Sequence, residues 1–310
     1  MISSRHSRAP LVLIPGVFGS TSDAIVPGTG PWGFGPAGAY YEPFVRQLEA
    51  MGYRREAELF IAFYDWREPV PYAARQYLYP VVQEAKRRTG ASRVILLGHS
   101  MGGLLARAYA QSEYYQDDVE RLIALGTPNA GSPANYAYWT GAALQTPPGA
   151  PVSGVSQAMQ RFLADLGRLS PQDPLQAVRA YFPSLLDIVP ARGYGDYLIV
   201  RGREDWRLVP QTEMKVRNAF LDDLNRERDL IERRQIRVTL VAGVGRGTPR
   251  YLRQAAEAAV EPHVWAVVNT DGGDGDVTVA SVFAIRGERH LVEADHLGIL
   301  SASLPLLARQ

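Results

Sequence analysis

The chain is 310 residues long, with 46% hydrophobic and 21% charged residues, a globular composition with room for one large core carrying an insertion. Its 33 basic and 32 acidic side chains leave a formal charge of +1, so no electrostatic footprint points to nucleic acid or to an anionic membrane. Cysteine is absent, which excludes disulfides, thiolate nucleophiles and thiolate-bound metals.

The opening stretch MISSRHSRAPLVLIPG sets basic side chains before an apolar run, but Leu11–Ile14 is too short for the core of a signal peptide. No apolar run long enough to span a bilayer follows, and a soluble, cytoplasmic protein is expected unless an export signal has been removed. The runs Leu11–Ile14, Leu59–Tyr64, Arg93–Leu97, Arg121–Leu125 and Ile236–Ala242 read as buried strands. Between them Tyr41–Met51, Tyr72–Arg88 and Gly102–Gln111 carry helical patterns, with Gly52 and Gly90 placed to end the first two. This alternation predicts a mostly parallel α/β sheet flanked by helices. The rhythm breaks from Gly131 to Arg234, where helical stretches such as Gln157–Leu166 and Thr212–Arg228 predict an inserted cap or lid. Residues 1–130 and 235–310 are then the core, and 131–234 the insertion.

Strand Arg93–Leu97 runs into GHSMGGLLARAY, where Gly98, Ser100 and Gly102 form a G-x-S-x-G pattern between a strand and a helix. A serine on such a turn is lifted clear of the sheet, and the helix starting at Met101 favours negative charge developing beside it. Acyl transfer also needs donors aimed at the oxygen that becomes negative. One is the amide of Met101, after the serine; the other is the amide of Val17 in PGVFGS, the loop after the first strand.

The serine needs a base, and the histidines are His6, His99, His263, His290 and His296. With the order serine, acid, histidine, only His290 and His296 qualify. His290 begins an apparent last strand that ends at Leu291–Glu293, whereas His296 lies in the loop behind it, where a base can reach the serine. His99, beside Ser100, reads as packing. The loop NTDGGDGDVTVAS offers Asp271, Asp274 and Asp276 as the acid, and position alone admits all three. Its spacing does not reproduce a calcium loop.

Together with LIPGVFGS (13–20), FYDWR (63–67), LGTPNAGS (125–132), PSLLDIVP (183–190), GVGRGTP (243–249) and ADHLGIL, these motifs make the chain resemble the lecithin:cholesterol acyltransferase family of α/β-hydrolases, which includes lipase-like members. The resemblance implies a Ser-Asp-His triad acting on a carboxylic ester, usually of a lipid, through an acyl-enzyme that water or an alcohol resolves. The family's acid falls on Asp276, two residues before Thr-Val. Asp274 is the alternative, because it begins the D-G-x-V pattern of simpler lipases. Animal members carry signal peptides and disulfides that are missing here, so a bacterial esterase fits better. Phe18 and Trp66 are placed at the substrate pocket, while Asp65 and Arg67 read as structural. The aromatic stretch Trp32–Tyr41 either lines the pocket, touches a lipid surface or is a pinned surface loop.

The expected protein is thus a serine ester hydrolase of esterase, lipase or phospholipase type, using Ser100, His296 and Asp276 with the Val17 and Met101 amides, and needing neither metal nor organic cofactor. An acyltransferase and a non-catalytic binding protein on the same fold are the alternatives.

Overall fold

The computed structural model describes residues 9–22, 32–146, 153–169, 173–202, 205–255 and 264–308. Apart from a two-residue pair, its strands are β1 Leu11–Ile14, β2 Leu59–Ile61, β3 Val94–His99, β4 Val119–Leu125, β5 Ala143–Gln145, β6 Leu198–Arg201, β7 Trp206–Val209, β8 Arg237–Val244, β9 Thr248–Gln254, β10 Val264–Thr270 and β11 Glu288–Glu293. Six of them form the main sheet in the order β11-β8-β4-β3-β1-β2, with every pair parallel. The inner strands β1, β3 and β4 are buried almost throughout, which is why they read as continuous aliphatic runs. Edge strand β11 is largely exposed and carries charge instead.

The helices that matter for the site are α1 Gly38–Ala50, α2 Tyr79–Thr89, α3 Met101–Ala110, α4 Ala134–Thr140, α5 Gly154–Leu169, α6 Pro174–Tyr181 and α7 Ala219–Arg226. One face of the sheet packs Leu96 and Ala124 against Val82 of α2 and Leu104 and Leu105 of α3. The other packs Leu13, Leu97 and Val241 against Phe44, Val45 and Leu48 of α1 and the C-terminal Ile299 and Leu300. Each Val, Leu, Ile or Phe among them, fully buried, contributes roughly 1.5–3 kcal/mol of transfer free energy. From β1 the chain goes outward to β2, then returns across β1 to β3, so the strand order reverses between β1 and β3. Crevices form at such a reversal, outside the carboxyl ends of the strands, and the loops after β1 and β3 both open there.

The insertion is not helical throughout. A second, mixed sheet has the order β5-β10-β9-β6-β7 and joins three strands of the insertion to two from residues 248–270. Its core is built on Tyr197, Leu252 and Trp265. The stretch Thr212–Arg228 begins in a short 3-10 turn, Gln211–Glu213, and is α-helical only over α7, because the side chain of Asn218 accepts the amide of Leu221 and sets the helix start there. Met214 before it is extended, at φ −74° and ψ 136°.

Candidate active site

Ser100 sits between β3 and α3 with φ 55° and ψ −128°, a conformation that costs a non-glycine residue about 1–3 kcal/mol. Its amide is held by the carbonyl of Leu125 on β4 at 2.8 Å. The flanking glycines are dictated by close approach: a Cβ on Gly98 would lie 2.4 Å from the Cα of Gly103, and one on Gly102 would lie 2.2 Å from the carbonyl oxygen of Ile14. No side chain fits at either place, so the turn can press against β1 and present the partly exposed Ser100 at the crevice.

His296 follows β11 and is 2% exposed. Its Nε2 is 2.8 Å from Ser100 Oγ, and its Nδ1 is 2.8 Å from Oδ2 of Asp274. The carboxylate of Asp274 accepts the amides of Asp276 and Val277 at its other oxygen, at 3.0 and 2.7 Å. The carboxylate bonded to the imidazole is therefore that of Asp274 and not that of Asp276, which motif register selects. Asp276 Oδ1 instead accepts the hydroxyls of Ser153 and Ser156 at the start of α5, at 2.6 and 2.8 Å. The alternative, Asp274 at the head of D-G-x-V, is the aspartate on the imidazole, while Asp271 is exposed. His290 lies within β11 and pairs with Glu288 at 3.0 Å. His6 and His263 lie outside the described residues.

The loop after β1 closes as a tight turn, the amide of Gly19 meeting the carbonyl of Gly16 at 2.9 Å with Phe18 at φ 59°. Val17, within that turn, is partly exposed. Met101 is the first residue of α3, so its N–H has no partner within the helix. The loop is pinned from two sides by tyrosines whose role the sequence did not show. Tyr64, the tyrosine of FYDWR, donates its hydroxyl to the carbonyl of Pro15 at 2.8 Å, and the hydroxyl of Tyr41 on α1 receives the amide of Gly16 at 2.8 Å. The rest of FYDWR divides its work. Asp65, 2% exposed, pairs in bidentate fashion with Arg67 at 2.5 and 2.8 Å, and Trp66 meets Phe18 edge-on at 4.6 Å. Phe162 of α5 lies 6.0 Å from each of those two rings, and Phe182 stacks on Trp66 at 5.6 Å. Within the stretch Trp32–Tyr41, Phe34 and Tyr41 are core residues, while Tyr40 is exposed.

Burial alone would lower the pKa of His296, but the charge and hydrogen bond of Asp274, with the charge of Asp276, raise it above the ordinary histidine value. Burial raises the pKa of Asp276, which His296 and the two serine hydroxyls oppose. A cleft lined by Leu11, Ile95, Arg121, Arg237 and Glu288 lies at the opposite end of the main sheet, where its strands begin. Among the described residues no group of three or more His, Cys, Asp or Glu side chains could hold a metal ion, and no helix is long and apolar enough to cross a membrane.

A six-stranded parallel sheet flanked by helices, with a serine on a strained strand-to-helix turn beside a histidine and an aspartate, is the architecture of the α/β-hydrolases. The lecithin:cholesterol acyltransferase family model matches residues 35–173, a segment that holds Ser100 but neither Asp274 nor His296. Among solved structures, the propeptide form of the lipase BlEst2 from Bacillus licheniformis is 15% identical with a TM-score of 0.52, over 98% of this chain. This chain spans only 51% of that protein's length. The mature form of the same lipase is 14% identical, with a TM-score of 0.49 over 98% of this chain and 91% of that one. A meta-cleavage product hydrolase from Pseudomonas fluorescens is 13% identical, with a TM-score of 0.45 over 97% of this chain and 90% of that one. No curated protein matches the chain.

Proposed function

We propose that the chain is a serine hydrolase of carboxylic esters, small or lipid. The reading rests on one observation, the continuous hydrogen-bonded line from Ser100 through His296 to the buried Asp274. In this reading Asp274 accepts the Nδ1–H of His296 and fixes the tautomer in which bare Nε2 takes the serine proton. Ser100 attacks the ester carbonyl, and the amides of Val17 and Met101 receive the oxyanion. His296 then protonates the departing alkoxide, and the acyl-enzyme is opened by water that His296 activates in turn. Phe18 and Trp66 form one apolar wall beside the oxyanion loop, suited to an acyl chain.

The test is turnover of a short p-nitrophenyl ester with labelling by a fluorophosphonate. Wild type is expected to hydrolyse the ester and to be labelled at Ser100, and Ser100→Ala to do neither while keeping its fold. Unchanged turnover in the variant would sink the reading. The family match favours a second acceptor, an alcohol in place of water. Incubation with an ester and a long-chain alcohol separates the two, since acyl transfer yields a new ester and hydrolysis only free acid.

A further inference from the structure

His99 is 1% exposed and bonded at both ring nitrogens. Its Nε2 lies 2.7 Å from the backbone carbonyl of His296, and a carbonyl only accepts, so Nε2 carries the hydrogen. Burial, then the neighbouring charge of His296, hold the pKa of His99 down to about 3. The ring is therefore neutral and its Nδ1 bare. Tyr41, 2.7 Å away, must donate its hydroxyl hydrogen to that Nδ1, and its oxygen then receives the amide of Gly16 at 2.8 Å. Every hydrogen is assigned, in one direction: Gly16 N–H to Tyr41, Tyr41 O–H to His99, His99 Nε2–H to the carbonyl of His296.

The two ends of this chain are the two halves of the site that Ser100 needs. Gly16 immediately precedes Val17, and the carbonyl at the other end belongs to the base. We propose that Tyr41 and His99 are positioning residues for the reaction at Ser100, their hydrogen bonds setting the spacing between the oxyanion loop at Gly16–Val17 and the backbone of His296. The proposal rests on the ester-hydrolase reading. Packing alone does not account for the pair, since burying a phenol and an imidazole is unfavourable unless they are bonded, and two apolar rings would fill the same space. Both rings are also fixed from the sides. Tyr41 stacks on Phe34 at 4.9 Å and 3°, and the ring of His99 lies 5.7 Å from Tyr41 and 5.0 Å from His296. The loop has no slack, because a Cβ on Gly16 would come within 2.8 Å of the Cβ of Ser100. A small shift of Gly16 is thus felt at the serine, and a displacement of about 1 Å can slow a reaction roughly a hundredfold.

Tyr41→Phe removes the acceptor of Gly16, and His99→Asn leaves an acceptor near Tyr41 but loses the donor to His296. The measurements are kcat and KM on a short p-nitrophenyl ester and the rate of fluorophosphonate labelling of Ser100, for wild type, both variants and the double variant. We expect kcat and labelling to fall roughly ten- to a hundredfold in each variant with KM within about twofold. The double variant should be no slower than the slower single one, because both cut the same chain. Labelling at the wild-type rate in Tyr41→Phe overturns the proposal, whereas wild type that is not labelled overturns the hydrolase reading instead. A ¹⁵N spectrum of the histidines in the wild-type protein gives a readout independent of the variants. His99 is expected as the Nε2–H tautomer without titration between about pH 5 and 9, and an Nδ1–H tautomer or a titrating His99 overturns the network.

Discussion

Asp274 and Asp276 stand two residues apart and have different partners. Asp274 receives two backbone amides on one oxygen and the imidazole on the other, whereas Asp276 faces Ser153 and Ser156 and leaves Oδ2 unbonded. Asp274→Asn removes the charge that stabilises the imidazolium and favours the wrong tautomer, so kcat should fall about a thousand- to ten-thousandfold. Asp276→Asn keeps an acceptor for the serine hydroxyls, and kcat should stay within about tenfold. Steady-state hydrolysis of a p-nitrophenyl ester ranks the two, and the reverse ranking would return the acid to Asp276. The pH profile follows from His296. A base works when neutral, and the pKa of His296 is raised, so kcat/KM should climb with pH through a midpoint above the ordinary histidine value of 6.5. Asp276→Asn, by removing one of the raising charges, should move that midpoint down. A midpoint at or below 6.5 in wild type would show that Asp274 and Asp276 do not act on His296 together. The choice between the aspartates was out of reach of the sequence for a physical reason. Both lie in one short Gly/Asp loop, and the direction each side chain takes is set by contacts far along the chain, to His296 on one side and to α5 on the other. That Ser100 and His296 would meet was legible because each is tied to the end of a strand that could itself be read.

At the scale of elements, the strands buried on both faces could be read because nothing but an aliphatic run fits there. The second sheet could not, since β6 and β7 are short, partly exposed and mixed with arginine, and they become strands only by pairing, β6 with β9 and β7 with β6. The segment PSLLDIVP shows another long-range device. Asp187, 8% exposed, accepts the amide of Val70 at 2.7 Å, over a separation of 117 residues. Burial pushes its pKa up to about 7, against the hydrogen bond from Val70. Because the folded-state pKa lies above the unfolded one, the folded protein holds this proton where the unfolded chain has released it. Stability therefore falls as pH rises from about 4 to about 7, and the difference persists above that. Asp187→Asn keeps the acceptor for Val70 and abolishes the ionisation. Its Tm should exceed that of wild type at pH 8 and match it near pH 4, as thermal unfolding at the two pH values will show. An equal difference at both would mean that ionisation of Asp187 does not limit the fold.

For the whole molecule, the ester-hydrolase reading raises the question of how an ester reaches Ser100 past residues 131–234. Helix α5 is anchored at its start, where Ser153 caps it by accepting the amide of Ser156 at 3.0 Å and donates to Asp276. Farther along, Phe162 is seated among Phe18, Trp66 and Phe182, at 6.0, 6.0 and 4.8 Å. Since Phe18 belongs to the turn after β1, the acyl wall proposed above and the seat of the helix are the same rings. In the ester-hydrolase reading proposed above, a long acyl chain enters as Phe162 leaves that seat while the anchored start of α5 stays in place. Phe162→Ala removes three ring contacts, worth about 2 kcal/mol together, which would shift a seated-to-open equilibrium roughly thirtyfold. Hydrolysis of a short, soluble ester should then rise several-fold, and the extra rate that wild type shows on micellar over monomeric ester should shrink. The comparison is a rate series through the critical micelle concentration for both proteins, with the melting temperature measured alongside. If the variant folds and keeps the wild-type ratio of micellar to monomeric rate, α5 does not gate the site, and access to Ser100 must come from another part of residues 131–234.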